Sequence, residues 1–310
     1  LIGKIGDVII TPQHIFVSDE QKQVIWIFNP KGEYLNNISR QGNGPEEYLG
    51  FLNINVNNAG NISLGDRFYK SIITYTSDDK FVSKIRLDSI PLRDLVYLND
   101  TILLIRSDIR DNKNIFHVFD ISKKEITNSY YPLPKRNLTC WFKDCFTTYN
   151  NKVLTCEYQS NEIIEVSKDS MSVRYIFNIG NKMPPKGFWD RDIPYDIIAS
   201  EYTQNGYIGH IPCFAEGNNS MLLRFQGNPD ETRGFAFVDK ATDQTSIFKK
   251  LILADGVVIE PDFFFSRGDG KIIFLVMPSD ILESGNTEFI SRFPGLEEEN
   301  NPVLLFAEIK

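Results

Sequence analysis

The feature that most constrains this chain is a repeated pattern of short strands separated by polar turns. The segments HIFVSDEQKQVIWIFNPKGEYLNNIS and NISLGDRFYKSIITYTSDDKFVSKIRL align so that Asp19 matches Asp66 and Phe28 matches Tyr75 at the same offset. In each copy apolar residues recur at every second position, which is the pattern of β-strands with a buried face. Internal repetition of such units predicts an architecture built from similar small sheets.

The pattern recurs along the whole chain. Further copies are TILLIRSDIRDNKNIFHVFDISKKEITNSYY, KVLTCEYQSNEIIEVSKDSMSVRYIFNIG, SMLLRFQGNPDETRGFAFVDKATDQTSIFKK and a split copy made of KIIFLVM and PVLLFAEIK. One more short strand precedes each copy, at residues 2–10, 51–57, 92–98, 144–149, 208–215 and 260–265. Helical patterns occur only near residues 193–203 and 279–292, and neither follows a βαβ rhythm.

Six such units predict an all-β chain that folds as a six-bladed β-propeller with four-stranded antiparallel blades. The blades are expected near residues 1–40, 51–87, 92–131, 144–179, 208–251 and 258–310. The last blade shows only three strands, so we expect its fourth strand either to come from residues before Leu1 or to be missing. The whole chain is predicted to be one propeller domain.

The segment ISRQGNGPEEYLG between the first two blades has a glycine spacing similar to that of phosphate-binding loops. Such a loop needs a helix after it, and a strand pattern follows instead. We therefore interpret the segment as a connection between blades. In this interpretation Gly42 and Gly44 adopt positive φ, Pro45 fixes the exit, and Tyr48 packs between the blades.

Composition and motifs exclude several classes of function. A net charge of −8 from 33 basic and 41 acidic residues argues against a nucleic-acid partner. No apolar run approaches the roughly 20 residues of a transmembrane helix, and neither an HExxH nor a GxSxG motif occurs. His14 and His117 lie within predicted strands, so we expect structural roles for both.

The four cysteines show no CxxC pair and no zinc-site spacing. Cys156 and Cys213 lie among apolar residues and are expected to be buried. Cys140 and Cys145 flank WFKD in a predicted loop, where a disulfide is an alternative if the protein is exported.

The long connections of this chain are predicted to lie on one face. Because strands alternate in direction within a blade, the connections from second to third strand and those leading to the next blade share a face. Loops longer than a turn commonly carry function, so we predict that this long-loop face binds the ligand. All the long connections belong to this set, at residues 107–113, 132–143, 180–207, 226–234 and 278–301.

Two of these connections, LTCWFKDCF and KGFWDRDIPYD, are rich in aromatic residues. Aromatic rings beside Asp and Arg suit sugars, whose apolar faces stack while their hydroxyls form hydrogen bonds. The alternative is that the rings fold down and seal the face. The candidate ligand-binding residues are Trp141, Phe142, Phe188, Trp189, Arg191, Tyr195, Arg110 and Arg233.

A second candidate site lies where the innermost strands begin, at the mouth of the predicted channel. Its residues are Asn53, Asp94, Asp144, His210 and Asp262. Carboxylates and an amide around a channel suit a hard cation such as Ca²⁺, with Asp94, Asp144, Asp262 and Asn53 as the ligands. The alternative is a hydrated channel mouth without metal, and no cofactor is predicted in that case.

The run VSDEQKQVIWIFNPKGEYLNNISRQGNGPEEYLG resembles the NHL-type repeat, in which Asp, a turn and a hydrophobic strand precede Gly-x-Gly-Pro-Gly-Glu-Phe/Tyr. With the ending NPVLLFAEIK, the whole chain resembles the six-bladed propeller lipoproteins of anaerobic gut bacteria. This resemblance implies an exported protein in the periplasm or at the outer-membrane surface, lipid-anchored upstream of Leu1.

These observations favour a non-enzymatic binding module of the bacterial cell envelope, whose long-loop face and channel mouth bind a glycan, a peptide or a partner protein. One alternative is a metal-assisted hydrolase or lyase similar to propeller lactonases. In that case the channel cation polarises a carbonyl and His210 acts as the base. A second alternative is a structural scaffold subunit that docks another envelope protein.

Overall fold

The computed structural model describes residues 2–68, 70–87, 90–107, 114–132, 146–156, 160–227, 234–252, 258–259, 264–266 and 268–309. In these residues the strands form six antiparallel sheets in chain order and one two-stranded hairpin. This is the fold of a six-bladed β-propeller, which confirms the prediction from the repeat. Contacts divide the chain into a first unit, Ile2–Thr139 with Val166–Met171, and a second unit, Cys140–Glu165 with Ser172–Lys310.

The first unit contains blades 1 to 3, each a four-stranded sheet in which every strand pairs with its predecessor. Blade 1 consists of β1 (Ile5–Ile10), β2 (Ile15–Asp19), β3 (Val24–Phe28) and β4 (Tyr34–Ile38). Blade 2 consists of β5 (Phe51–Val56), β6 (Ile62–Asp66), β7 (Ser71–Tyr75) and β8 (Phe81–Arg86). Blade 3 consists of β9 (Leu92–Asn99), β10 (Ile102–Ser107), β11 (Asn114–Asp120) and β12 (Glu125–Pro132).

The second unit contains blades 5 and 6 and most of blade 4. Blade 4 consists of β13 (Phe146–Tyr149), β14 (Lys152–Cys156), β15 (Glu162–Val166) and β16 (Met171–Ile176). Blade 5 consists of β17 (Ile208–Glu216), β18 (Ser220–Gly227), β19 (Gly234–Asp239) and β20 (Gln244–Phe248). The hairpin of β21 (Leu251–Ile252) and β22 (Val258–Ile259) follows, and the sequence pattern did not predict it. In the described residues blade 6 has three strands, as predicted: β23 (Phe264–Ser266), β24 (Lys271–Val276) and β25 (Val303–Glu308).

The helices of the described residues lie in two connections of the second unit. α1 (Tyr195–Gln204) precedes β17, after short 3-10 helices at Gly180–Lys182 and Phe188–Asp190. α2 (Pro278–Glu283) and α3 (Thr287–Ile290) lie between β24 and β25. Both predicted helical regions are therefore present. None of the helices in the described part of the chain is long and apolar enough to cross a membrane.

Apolar side chains pack between successive sheets. In the first unit, one cluster joins blades 1 and 2 around Ile25, Leu64 and Tyr75, and another joins blades 2 and 3 around Leu92 and Leu103. In the second unit, similar clusters join blade 4 to blade 5 and blade 5 to blade 6. Burial of one large aliphatic side chain contributes roughly 1.5–3 kcal/mol, so these clusters hold the neighbouring sheets of each unit together.

Several predictions about single core residues are also settled. Cys156 and Cys213 are buried free thiols, as predicted. His117 has a structural environment, because its Nδ1 lies 2.9 Å from Ser129 Oγ and burial lowers its pKa. Cys140 and Cys145 lie outside the described residues.

Candidate functional site

A cleft of about 430 Å³ lies between blades 1 and 2 of the first unit. Its walls come from the β2–β3 turn, the β4–β5 connection and the β6–β7 turn, all at the strand ends that form the long-loop face. Ligand pockets commonly measure about 300–1,000 Å³, so the volume suits a small ligand. We call this the blade 1–2 cleft, and its lining residues are Lys4, Glu20, Gln21, Gln23, Gln41, Leu49, Gly50, Phe51, Arg67 and Phe68.

Gln23 holds the two blades together beneath the cleft. Its Nε2 donates to the carbonyls of Glu20 at 2.6 Å and Phe51 at 3.3 Å. Its Oε1 accepts the N–H of Phe51 at 2.7 Å, and its own carbonyl accepts the Tyr48 hydroxyl at 2.6 Å. Both ends of the Gln23 amide are therefore engaged by the protein itself, so its role is to fix the position of the walls.

Two aspartates in equivalent positions of the repeat hold the turns that wall the cleft. The buried Asp66 carboxylate accepts the N–H groups of Leu49 at 2.9 Å and Phe68 at 3.0 Å. Burial by itself would raise the pKa of Asp19, but hydrogen bonds from four backbone N–H groups lower it below its usual value. The donors to Asp19 are the N–H groups of Gly3, Lys4, Gln21 and Lys22.

Other side chains of the cleft are exposed to solvent. Phe68 is 58% exposed, and the guanidinium carbon of Arg67 lies 4.7 Å from the centre of its ring. Arg67 forms no ion pair with any of the residues that the structure describes. Gln21 and Gln41 are exposed at the rim, and Gln41 uses only its Nε2, which donates to the Leu49 carbonyl at 3.0 Å.

The charged side chains of the cleft have a positive excess. Lys4 Nζ lies 2.9 Å from Glu20 Oε2, and the Lys4 side chain of this pair is largely exposed. Arg67 is the third charged residue in the described part of the lining, which therefore holds two cations and one anion in a chain whose net charge is −8. An anionic group on a ligand would therefore be attracted to Arg67.

The glycines of the β4–β5 connection act differently from the prediction. We predicted positive φ at Gly42 and Gly44, and neither residue has it. Instead, a Cβ at either position would run into the carboxylate of Glu47, which accepts the Gly44 N–H at 2.7 Å. The missing side chains let Glu47 fold back over the connection. Tyr48 is fully buried between the blades, as predicted, with its ring centre 5.2 Å from that of Phe51.

The aromatic connection before β17 packs into a small apolar cluster of its own. Phe188 is 5% exposed, and its ring meets that of Trp189 edge-on at 4.9 Å. Trp189 is half-buried, with its ring centre 5.1 Å from that of Tyr202. Arg191 lies over the Phe188 ring at 4.3 Å and forms an ion pair with Glu201 at 2.7 Å. The Phe188 ring is thus used in packing, and part of Trp189 stays accessible.

The other candidate ligand-binding residues stay predictions. Four of them lie outside the described residues: Trp141, Phe142, Arg110 and Arg233. For Tyr195 the structure describes the backbone but not the side chain.

The inner strands of the first unit carry buried polar residues at one register. Asn53 in β5 is 7% exposed and Asp94 in β9 is 6% exposed. The sequence analysis missed Asp7 in β1, which is 8% exposed. All three are the third residue of their strand, so superposing the strand starts would have found it. Burial raises the pKa of Asp94, and the Asp7 carboxylate adds to this effect, against the opposing N–H of Leu95 and nearby arginines.

The predicted cation site involves residues beyond the described part of the chain. Asp144 and Asp262 lie outside it, and His210 is described only as the third residue of β17. Among the residues that are described, no three His, Cys, Asp or Glu side chains are grouped closely enough to hold a metal ion. The Ca²⁺ site therefore stays a prediction.

The cleft residues missed by the sequence analysis occupy turns. Arg67 and Phe68 follow Asp66 as Glu20 and Gln21 follow Asp19, so the two copies of the repeat place different chemistry at matching positions. Comparing the two copies of the repeat residue by residue would have singled out Arg67 and Phe68, because Glu20 and Gln21 stand at the matching positions.

Comparisons with known proteins agree with this fold. A family model described as a domain of unknown function, DUF4934, matches residues 1–308. A search of curated proteins finds no match to the chain. Among solved structures, the chain is similar to a proposed exported protein of Bacteroides fragilis, with 19% identity and a TM-score of 0.77, over 100% of this chain and 91% of that one.

Two further solved structures are more distant. A member of the DUF4221 family from Bacteroides vulgatus has 11% identity and a TM-score of 0.57, over 99% of this chain and 94% of that one. Virginiamycin B lyase from Staphylococcus aureus has 11% identity and a TM-score of 0.50, over 88% of this chain and 91% of that one. At such identities the likeness shows the fold alone, because one fold hosts many functions.

Proposed function

The chain belongs to the DUF4934 family, and we propose that it is a binding module of the bacterial cell envelope that holds its ligand in the blade 1–2 cleft. One observation carries the proposal: a cleft of about 430 Å³ lies on the long-loop face and is lined by an exposed aromatic ring, a guanidinium and amides. Sites for small ligands and sugars combine an apolar surface with a few placed polar groups in this way.

The envelope location is supported by two likenesses. The repeat resembles that of propeller lipoproteins from gut anaerobes, and the fold is similar to that of the proposed exported protein of Bacteroides fragilis. Export and attachment by a lipid anchor are parts of the same proposal.

The proposed role is to bind the ligand without catalysis. A nucleophile or general base needs a partner within hydrogen-bond reach that activates it. Among the described residues of the lining there is no Ser, Cys or His, and the one carboxylate there, Glu20, is paired with Lys4. These residues are suited to hold and orient a ligand.

A thermal-shift screen of glycans and peptides tests this function. Gln21→Trp places an indole at the exposed rim of the cleft, and the control Lys31→Trp places the same ring in the β3–β4 turn, at the opposite strand ends. A ligand at 100 times its Kd stabilises the folded state by about 2.7 kcal/mol. We expect ligands that raise the melting temperature of wild type and Lys31→Trp but not of Gln21→Trp.

Two results would count against the proposal. A shift that persists in Gln21→Trp would place the binding site elsewhere on the protein. A screen in which no glycan or peptide raises the melting temperature of the wild type would remove the support for a binding module.

A further inference from the structure

Resting on the proposed function, we propose that the ligand of the blade 1–2 cleft is a sugar that carries a carboxylate, such as a uronic acid. In this arrangement the Phe68 ring stacks on the apolar face of the sugar, and the Arg67 guanidinium pairs with the carboxylate.

Arg67 is the group that points to an anion. Its guanidinium lies 4.7 Å above the Phe68 ring and forms no ion pair with the described residues. A guanidinium is planar and can present two parallel N–H donors along one edge. A carboxylate is the group that matches this edge with two parallel hydrogen bonds.

Phe68 is the group that points to a sugar ring. Its side chain is 58% exposed although its backbone is fixed, because its N–H donates to the buried Asp66 carboxylate at 3.0 Å. An aromatic ring that is exposed while its backbone N–H is bonded offers a flat apolar surface to a ligand. The C–H face of a pyranose is complementary to such a surface.

The rim supplies partners for hydroxyl groups. Gln21 and Gln41 are both exposed at the cleft. The Gln21 side chain has no hydrogen bond with the described residues, and the Gln41 amide donates only to the Leu49 carbonyl. An amide combines a donor with an acceptor, as a sugar hydroxyl does, so these groups can bind several hydroxyls of a ring.

The backbone of the cleft argues against a peptide. A peptide that adds a strand to a sheet needs unpaired N–H and C=O groups along an edge. Here the N–H groups of Leu49 and Phe51 are taken by side chains, and that of Arg67 donates to the Gly50 carbonyl at 3.4 Å. The recognition chemistry of the cleft therefore lies in its side chains.

The test is calorimetric titration with trigalacturonic acid and with its methyl ester, two probes that share their rings and differ in the carboxyl groups. We expect the wild type to bind the acid at least about tenfold more tightly than the ester, because the ester cannot form the charge-assisted pair. Arg67→Gln should weaken binding of the acid about tenfold and leave that of the ester unchanged. Lys31→Gln removes the same charge at the opposite strand ends and should change neither.

A second pair of variants tests the stacking. Phe68→Ala should weaken the acid and the ester by the same factor, whereas Phe306→Ala, which truncates a ring on β25 that is 56% exposed, should weaken neither. Circular dichroism of each variant establishes that it is folded before the titration.

The outcomes separate this inference from the proposed function. Equal affinity for acid and ester, unchanged in Arg67→Gln, would contradict recognition of a carboxylate by Arg67. The cleft would still be the proposed binding site. Tighter binding of hexaglutamate than of either sugar, lost in Arg67→Gln, would contradict the inference that the ligand is a sugar and would indicate an acidic peptide. Binding of neither sugar probe would overturn the inference, and the screen with Gln21→Trp would still judge the binding function.

Discussion

Buried aspartates in the first unit behave differently because different donors surround them. Asp19 receives N–H groups from two segments of the chain, and its pKa is lowered although burial by itself would raise it. Asp94 receives the N–H of Leu95 at 2.7 Å and lies near another carboxylate, Asp7, and its pKa is raised. The number and sign of the neighbouring groups therefore decide which protonation state the fold favours.

At this scale, Asp94→Asn is expected to stabilise the protein at alkaline pH. Because burial raises the folded-state pKa of Asp94 above its usual 3.8, the stability gained from its proton is lost as the pH rises from about 4 through the folded pKa. Asparagine keeps an acceptor for the Leu95 N–H and carries no charge. The free energy of unfolding in urea should rise by roughly 1–3 kcal/mol at pH 8 and change little near pH 4.

The control is Asp78→Asn, which changes an exposed turn residue and should leave the pH dependence as it is in the wild type. An Asp94→Asn protein that is less stable than the wild type at pH 8 would show that pairing with the nearby arginines outweighs burial.

The β4–β5 connection illustrates the scale of the structural element, because a single side chain in it fastens two sheets. The Tyr48 hydroxyl accepts the Arg40 N–H at 3.2 Å and donates to the Gln23 carbonyl at 2.6 Å. Burial raises the pKa of Tyr48 to about 12, so the phenol stays a neutral donor at physiological pH. The connection thus positions Gln23, which in turn holds the walls of the cleft.

Tyr48→Phe is therefore expected to destabilise the protein by about 1–2 kcal/mol, since the partly buried Arg40 N–H and Gln23 carbonyl lose their partner. Tyr34→Phe is the matched control, because its hydroxyl belongs to a side chain that is 53% exposed and should contribute less than about 0.5 kcal/mol. Urea unfolding of both variants measures the difference. Equal midpoints for the two variants would contradict the role given to Tyr48.

At the scale of the whole molecule, the fold was predictable because the alternation of apolar residues repeats in every blade and sets which face of each strand is buried. The candidate site was not predictable in the same way. Arg67 and Phe68 lie in a turn, where packing imposes no pattern, and only the folded chain brings them beside Gln41. The prediction of positive φ at Gly42 and Gly44 was wrong for a similar reason. The Glu47 carboxylate contacts both glycines only because the loop folds back on itself, and the sequence spacing does not show this.

Ion pairs add to the contacts between successive blades in the second unit. The side chain of Glu216 at the end of β17 is fully buried, and Arg174 of β16 binds it at 2.9 Å. Lys240 binds the same carboxylate at 2.6 Å, and the Tyr175 hydroxyl donates to it at 2.7 Å. Burial by itself would raise the pKa of Glu216, but these three donors lower it below its usual value.

Glu216→Gln is expected to lower the global free energy of unfolding by roughly 1–3 kcal/mol near neutral pH, because the buried carboxylate loses its charge-assisted hydrogen bonds with the partly buried Arg174 and Lys240. Since the folded-state pKa is lowered, the contribution of the carboxylate is present above the usual value of 4.5 and is lost as the pH falls through the folded pKa. The difference from the wild type should therefore shrink toward pH 3 in urea unfolding curves. Glu308→Gln on the exposed face of β25 is the control, and a difference that stays constant down to pH 3 would contradict the ionic origin.

In the blade 1–2 cleft, the residues that hold the walls differ from those that expose side chains to a ligand, and this has an evolutionary consequence. Asp19, Asp66 and Gln23 secure the walls, whereas Arg67 and Phe68 contribute side chains that the frame does not depend on. Exchanges at such surface positions usually alter folding free energy by about 0.5 kcal/mol or less. Substitutions at these turn positions can therefore change the ligand preference of the cleft at little cost in stability. The two aspartates and the glutamine must be kept for the cleft to form.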